Sequence, residues 1–138
     1  MITPFNIEHL GRFLPNEFSS PDVVLPALIK PTNEVHTIWC GEMVAAISCC
    51  WNYWGDCWEG FFLIADDMPV KAISELREHI LERMGYHKAS RLQTRSVACL
   101  KLDHWHEWLG FKWEGHHEKM IFGKNFNSWA LMRDQVGG

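Results

Sequence analysis

Four histidines fall within one short stretch of the chain, KLDHWHEWLGFKWEGHHEKMIF, residues 101–122. Histidine is a common metal ligand, so this stretch raises the question of a metal site. On a helix, His104 and His106 diverge because they are two residues apart, whereas ligand pairs lie three or four apart. On a strand, the neighbours His116 and His117 face opposite sides of the sheet. No Cys-x-x-Cys or His-Glu-x-x-His spacing occurs, so the sequence predicts no bound metal.

The tryptophans raise a second question, that of a nucleic-acid platform. Indole rings stack on bases, but here they lie at alternating, core-like positions without an interleaved basic patch. The chain also carries 13 basic against 17 acidic residues, a net charge of −4, whereas phosphate-backbone binders show a basic excess. We therefore expect no nucleic-acid partner. Trp54, in a turn, is expected to be exposed and to mark a partner surface, and the rings expected to pack in the core or at an interface are Trp51, Trp58, Trp105 and Trp129.

The five cysteines form an odd set, lie mostly in apolar runs and follow no signal-peptide-like segment. Cys49 and Cys50 are adjacent and point to opposite faces of any strand, so they cannot join one site. We expect small buried hydrophobic residues, no disulfide and a reducing compartment. No apolar run approaches the roughly 20 residues that span a bilayer, so we also expect no membrane contact and a cytoplasmic location. The five residues are Cys40, Cys49, Cys50, Cys57 and Cys99.

The first half of the chain predicts a strand, two helical pieces broken at Pro15, and a set of antiparallel strands. Ser20 is placed to cap the second helical piece, with Pro21 in its first turn. The glycine in residues 40–42 predicts a hairpin. Residues 43–51 are apolar or small on both faces, which predicts a central strand covered on both sides, and CWEGFFLIA after them has the same character.

The second half predicts a long helix, a strand, a short helix and two closing strands. The long helix follows two aspartates, and Gly85 is placed to end it. Its apolar stripe consists of Val70, Ile73, Leu76, Ile80 and Met84. RLQTRSVAC alternates as a strand, and LDHWHEWLGF is a short helix that Gly110 is placed to stop. The stripe of that helix consists of Leu102, Trp105, His106 and Leu109. KWEGHHEKMIF and NSWALMRD (residues 127–134) predict an antiparallel pair.

These elements predict an α+β fold, with one mixed sheet and helices on both faces, in a single domain over residues 1–138. The segment WHEWLGF followed by KWEG resembles the C-terminal part of the GCN5-related N-acetyltransferase (GNAT) superfamily. In that family the fourth helix ends in Leu-Gly-Phe and the sixth strand follows, and the order of elements matches throughout. The segment RLQTRSVACLKLDHWHEWLGFKWEG looks like the phage-encoded branch. The length and the Gly-Gly terminus resemble GNAT-like internal virion proteins of short-tailed phages.

The resemblance implies an acetyl-CoA site in a V-shaped opening between the fourth and fifth strands. Pantetheine would pair with the backbone of the fourth strand, and the pyrophosphate would rest on N–H groups at the start of the next helix. The residues implied for these roles are Phe62, Leu63 and Ile64 on the strand, and Val70, Lys71 and Ala72 on the helix.

The pyrophosphate loop departs from the family pattern, Arg/Gln-x-x-Gly-x-Gly/Ala, because this chain has ADDMPVKAIS without glycine. Asp67 stands about where the family has Arg or Gln, and two carboxylates would repel a pyrophosphate. Side chains restrict the backbone around an anion, and Pro69 has no N–H at all. Lys71 would compensate in part. The alternative is that Asp66 and Asp67 simply cap the helix.

The resemblance also implies catalytic positions. His106 stands where the family often has a tyrosine that protonates the leaving thiolate, and histidine can donate a proton near neutral pH. The alternative is a packed core histidine. Glu59 on the fourth strand is the candidate base for an amine, with surface exposure as the alternative. Cys99 falls near the implied acetyl site, but no His/Asp relay is spaced to activate it as a nucleophile.

Two functions therefore remain open at this point. One is an acetyl-CoA-dependent N-acyltransferase with an atypical pyrophosphate loop and an unidentified amine substrate. The other is a catalytically silent GNAT-fold protein with a binding or assembly role, such as an internal virion protein of a phage. Its partner would be another protein, a second copy of the chain or a virion component. A phage protein would act in the host cytoplasm or be packaged in the virion. Fold alone does not decide between them.

Overall fold

A computed structural model describes residues 1–15 and 20–133 of the chain. Its strands and helices follow one another in the predicted order. In chain order they are β1 (Ile2–Pro4), a short 3-10 helix (Ile7–Arg12), α1 (Pro21–Leu28), β2 (Glu34–Cys40), β3 (Met43–Trp54), β4 (Cys57–Ile64), α2 (Val70–His87), β5 (Arg91–Val97), α3 (Leu100–Trp108), β6 (Lys112–Ile121) and β7 (Lys124–Met132). The last predicted strand extends to Asp134, which lies outside the described residues.

The strands form one seven-stranded sheet in the order β1-β2-β3-β4-β5-β7-β6. The pairs β1–β2, β2–β3, β5–β7 and β6–β7 are antiparallel, whereas β4 and β5 run parallel. A helix connects the two parallel strands, as such a crossover requires. This mixed sheet with its helices confirms the predicted α+β class. None of the helices among the described residues is long and apolar enough to cross a membrane.

Backbone contacts divide the chain into two compact units. Unit 1 comprises Met1–Trp51 and Gly60–Leu76, and unit 2 comprises Asn52–Glu59 and Arg77–Gly138. The single domain over residues 1–138 stays a prediction.

Unit 1 is organised around β3. Gly41 has φ +61° in the turn between β2 and β3, which confirms the predicted hairpin at residues 40–42. Residues 44–49 of β3 are all buried, which confirms a central strand covered on both faces. A core cluster of buried side chains packs here: Phe13, Leu28, Val44, Ile47, Cys49, Leu63 and Ala65. Burial raises the pKa of the Cys49 thiol to about 11, as expected for a cysteine that acts as a small hydrophobic residue. Of the five cysteines expected to be buried, Cys49 is buried, Cys40 is exposed and the other three are half-buried.

The predicted start of α1 is confirmed, whereas the predicted end of α2 needs correction. Ser20 is the N-cap of α1 and Pro21 begins the helix, but the serine side chain forms no capping hydrogen bond. Gly85 does not end α2, which continues to His87. The left-handed residue after it is Lys88, with φ +55°, and the N–H of the next residue bonds to the carbonyl oxygen of Met84 at 2.8 Å. A bond from an N–H to the carbonyl oxygen five residues earlier is typical of a helix C-terminus. Lys88 therefore occupies the position that we predicted for glycine.

The buried stripe of α2 is confirmed at four positions and wrong at one. Ile73, Leu76, Ile80 and Met84 are buried, whereas Val70 is 76% exposed. Val70 is the first residue of the helix, so its side chain lies ahead of the turns that pack into the core.

Unit 2 contains the short helix that the sequence predicted from its apolar stripe. Leu102, Trp105, His106 and Leu109 are all buried, and Gly110 follows α3 with φ +97°, so both the stripe and the stop are confirmed. Among the tryptophans, Trp105 and Trp129 are buried and Trp54 is 79% exposed, as predicted. The remaining two predicted core rings, Trp51 and Trp58, are only half-buried.

Candidate functional site

The start of α2 is the first place to examine, because the predicted pyrophosphate contacts lie there. The N–H groups of Ala72 and Ile73 donate to the carbonyl oxygen of Pro69, at 3.0 and 3.2 Å. These are the first bonds of the helix, so the N–H groups of Val70 and Lys71 precede them and are left for an outside acceptor. Both residues are exposed. Ala72 is buried with its N–H already used, so among the three predicted residues only Val70 and Lys71 offer backbone donors.

The turn before α2 contains the two aspartates for which helix capping is the alternative role. Pro69 supplies the carbonyl that begins the helix, so the proline, and not an aspartate, occupies the cap position. Asp66 and Asp67 lie in the turn before it and are exposed, and no acidic residue lies in the first helical turn. Two carboxylates therefore stand near the helix end that carries partial positive charge. They disfavour a bound anion, while the exposed ammonium of Lys71 favours one.

The predicted pantetheine contacts lie on the last part of β4. Leu63 and Ile64 are buried and Phe62 is half-buried, so these side chains serve packing. Any ligand at this strand would contact its backbone, as the sequence analysis expects. The strand also lies very close to β3: a Cβ built on Gly60 would lie 2.7 Å from the Sγ of Cys50 and 2.8 Å from the carbonyl oxygen of Cys49. Only glycine fits there without a backbone shift.

Glu59, the predicted base, belongs to unit 2 and lies in a network of side chains that spans β4, β5 and β6. Its Oε2 atom accepts a hydrogen bond from Nε2 of Gln93 at 2.8 Å. The other end of that amide, Oε1, accepts from Nε of Arg91 at 3.1 Å. Arg91 in turn forms a two-pronged ion pair with Glu114, in which Nη1 lies 2.9 Å from Oε2 and Nη2 contacts Oε1. Glu59 is half-buried, so the alternative of a simple surface carboxylate is wrong.

The ion pair at the far end of this network is electrostatically stable. The hydrogen bond from Arg91 lowers the pKa of Glu114, and the hydrogen bond to Glu114 raises the pKa of Arg91. Both shifts favour the charged forms, so Arg91 and Glu114 are both charged around neutral pH.

His106, the predicted acid, is a packed core residue. Only 4% of it is exposed, its ring stacks on Trp129 with centroids 5.3 Å apart, and Phe111 meets its ring edge-on. Nδ1 lies 2.7 Å from the carbonyl oxygen of Leu102, so the ring proton resides on Nδ1 and is donated to the backbone. Burial lowers the pKa of the imidazole, although that hydrogen bond and Asp103 oppose the shift. A neutral ring with its one proton already engaged is a poor proton donor, which favours the packing alternative.

The remaining candidates hold structural positions. Cys99 is the N-cap of α3, where its Sγ accepts from the N–H of Leu102 at 3.5 Å. His116 and His117 have separate partners, as their adjacency predicts: His116 Nδ1 lies 3.0 Å from Asn127 Oδ1, and His117 Nε2 lies 2.6 Å from the hydroxyl of Ser128. Among the residues that the structure describes, no three His, Cys, Asp or Glu side chains converge as a metal site would require.

The structure thus distributes the predicted residues over the two units. The six predicted cofactor contacts, on β4 and the start of α2, belong to unit 1, whereas Glu59 and His106 belong to unit 2. Their roles stay predictions. Sequence analysis missed Gln93, Arg91 and Glu114. The alternation of β5 would have placed Arg91 and Gln93 on one face of the sheet, but no sequence signal connects them to Glu59 or Glu114.

Comparison with known proteins identifies the fold. No family model matches the sequence, and no curated protein matches it. Solved structures do match. An IAA acetyltransferase from Bacillus cereus ATCC 14579 has a TM-score of 0.74 at 12% identity, over 96% of this chain and 98% of that one. A Bacillus subtilis acetyltransferase in complex with CoA has a TM-score of 0.72 at 12% identity, over 96% of both chains. The ribosomal-protein-S18-alanine N-acetyltransferase from Escherichia coli has a TM-score of 0.72 at 14% identity, over 96% of this chain and 92% of that one.

The chain therefore has the fold of GNAT acyltransferases, as the resemblance implied. At these identities the likeness establishes the fold and not the activity.

Proposed function

We propose that this protein is an acetyl-CoA-dependent N-acyltransferase with an atypical pyrophosphate site, acting on an amine. The observation that carries the proposal is the match to acetyltransferases over 96% of the chain, one of them in complex with CoA. Glu59 adds to it, because a carboxylate can accept a proton and the hydrogen bond from Gln93 fixes the orientation of this half-buried one. The protein would act in the cytoplasm.

The described residues fit a weakly held acetyl-CoA. Val70 and Lys71 present backbone N–H groups at the N-terminus of an 18-residue helix, and the Lys71 ammonium adds a positive charge there. The backbone of residues 62–64 is the part of β4 proposed to pair with the pantetheine arm. Asp66 and Asp67 weaken the same site by repulsion, and Pro69 removes one backbone donor.

Acetyl-CoA supplies a thioester whose acyl group is activated toward an amine. The work left to the chain is to free the amine nitrogen of a proton, because an ammonium ion has no lone pair with which to attack. Glu59 would accept that proton, and the hydrogen bond from Gln93 Nε2 keeps one carboxylate oxygen in place. His106 takes no part in this scheme, because its proton is donated to the Leu102 carbonyl oxygen.

Calorimetric titration with acetyl-CoA tests the cofactor site. Because two carboxylates flank the helix start, we expect a dissociation constant weaker than micromolar, that is, a binding free energy above roughly −8 kcal/mol. Asp67→Arg should tighten binding by about tenfold, because it replaces a repulsion with a charge-assisted contact. Glu82→Arg, an exposed site on α2 with the same change of charge, should leave the affinity unchanged.

Two results would contradict this proposal. One is the absence of any detectable acetyl-CoA binding by wild type and by Asp67→Arg. The other is an equal gain in affinity from Glu82→Arg, which would mean that only the net charge matters. A sub-micromolar constant for wild type would contradict the idea that the site is degenerate, while supporting the enzyme class.

A second candidate function is a catalytically silent GNAT-fold protein used for binding or assembly, for instance inside a phage particle. The observation that favours it is the glycine-free turn with two exposed aspartates before α2. Trp54, 79% exposed at the end of β3, would then be a partner contact. This function predicts neither acetyl-CoA binding nor acyl transfer, and it predicts that Trp54→Ala weakens partner binding without lowering stability.

A further inference from the structure

We propose that Gln93 is the positioning residue of the proton acceptor Glu59, and that Arg91 and Glu114 hold Gln93 in the required orientation. This inference rests on the proposed acyltransferase function, and it assigns roles to three residues that neither the sequence analysis nor the fold comparison singled out.

The direction of every hydrogen bond in the network follows from its donors. The guanidinium of Arg91 can only donate, so the amide atom that it contacts at 3.1 Å must be the oxygen of Gln93. The amide NH₂ therefore faces Glu59, and Nε2 donates to Oε2 at 2.8 Å. Reversing the amide would break both contacts, because NH₂ would meet a donor and the oxygen would meet a carboxylate. Arg91 thus decides which end of Gln93 meets Glu59.

The backbone places these side chains side by side. Glu59 and Gln93 are register partners in the parallel pair of β4 and β5. Arg91 is two residues before Gln93 and shares its face of the strand. The residue opposite Gln93 on β7 is Ala130, which has a short side chain.

Glu114 reaches Arg91 from the far side of β7. It is the extra residue in a register shift between Trp113 and Gly115 on β6, which has the form of a β-bulge. Bulges of this kind often lie next to active sites, where they direct a side chain. The two-pronged contact fixes the plane of the Arg91 guanidinium. Because this contact already restrains the guanidinium, Arg91 loses little further freedom when it also binds Gln93.

The chemical consequence is a preoriented carboxylate. A carboxylate has two oxygens with about four lone-pair positions in all, and the amide of Gln93 takes one of these positions. A free glutamate side chain would sample several rotamers, only some of which present an oxygen to an incoming ammonium. The bond from Gln93 selects one orientation before the amine arrives, which lowers the barrier to proton transfer without changing how tightly acetyl-CoA binds.

The test is steady-state transfer of acetyl groups by full-length variants. Gln93→Leu keeps a side chain of similar size and removes both hydrogen bonds. We expect kcat to fall by about tenfold or more, with KM for acetyl-CoA unchanged. Glu114→Gln should give a smaller loss, because it weakens the anchor and leaves Gln93 in place. Arg95→Gln is the matched control: Arg95 lies on the same face of β5 and is exposed, and its change should leave kcat as in wild type.

A merely structural role would give a different result in a double-mutant cycle. If Gln93 acts through Glu59, Gln93→Leu should cost nothing further in kcat once Glu59→Gln is present. Equal losses from Gln93→Leu with and without Glu59→Gln would overturn the positioning role, and so would a kcat for Gln93→Leu equal to that of Arg95→Gln. Those two results, obtained with an active wild-type protein, overturn this inference alone. Absence of transfer by the wild-type protein would overturn the proposed function, and this inference with it.

Discussion

The burial of His106 leads us to predict that the free energy of unfolding depends on pH in a specific way. The buried imidazole has a lowered pKa in the folded protein, whereas it titrates near 6.5 once the chain unfolds. At pH 7.5 the ring is neutral in both states and has no effect on the free energy of unfolding. Below pH 6.5 the unfolded chain binds a proton that the folded protein does not, so stability is lost as the pH falls toward the folded pKa.

The magnitude follows from this difference in bound protons. If the folded imidazole stays neutral throughout, linkage gives a loss of about 1.4 kcal/mol between pH 7.5 and pH 5.5 from this one group. His106→Phe removes that loss, because phenylalanine has no titrating group and still offers a ring to stack on Trp129. The difference between wild type and the variant isolates His106 from the other titrating residues.

Urea unfolding at the two pH values, followed by tryptophan fluorescence, measures the effect. The free energy of unfolding of His106→Phe should fall less than that of wild type, by up to about 1.4 kcal/mol. His104→Ala is the control, because His104 is exposed on the same helix; that variant should keep the wild-type dependence. An identical fall in wild type and His106→Phe would refute the buried, neutral histidine and reopen its role as an acid.

The other predictions concern packing and are measured by the same unfolding experiments. Gly60→Ala should destabilise the protein by about 1 to 3 kcal/mol, because its Cβ would lie 2.8 Å from the Cys49 carbonyl oxygen. Gly85→Ala should instead stabilise it by about 0.5 to 1 kcal/mol, because an added Cβ meets nothing within 4 Å inside α2; the same sign at both glycines would contradict these contacts. Trp105→Ala should cost about 3 to 5 kcal/mol through its cavity, and a cost below about 1 kcal/mol would mean that this 5%-exposed ring is not a core residue.

The elements that could be predicted from sequence are those with a strong local pattern. The run at residues 43–51 is apolar on both faces, and its burial follows directly. The stripe of α3 repeats at helical spacing and ends at Gly110, whose φ of +97° suits glycine. In each case the periodic pattern is set by residues close together in sequence, so it can be read without knowing which other elements cover the buried face.

The errors arose where the outcome depends on contacts beyond the local pattern. Glycine often ends a helix, but α2 continues past Gly85 to His87. Lys88 then adopts the left-handed backbone conformation. Val70 fits the spacing of the stripe, yet it precedes the turns of α2 that are buried. A periodic pattern does not say where a helix begins relative to the core.

In the candidate site, too, single residues can be predicted from sequence but their contacts cannot. The resemblance implies Glu59 as the candidate base, but its hydrogen-bond network depends on the register of β4 with β5 and on a register shift in β6. Gln93 and Glu59, which are joined by a hydrogen bond, lie 34 positions apart in sequence. Arg91 and Glu114 lie 23 positions apart. No spacing rule within a single strand reports such contacts.

Acetyl transfer by the wild-type protein and by Glu59→Gln, over a panel of amines with CoA release as the readout, tests the central claim most directly. We expect wild type to acetylate at least one amine and Glu59→Gln to be slower by about a hundredfold or more, as for loss of a general base. His106→Phe should keep the wild-type rate, since that ring is engaged in packing. Absence of transfer from wild type, or a Glu59→Gln rate equal to that of wild type, would contradict the account.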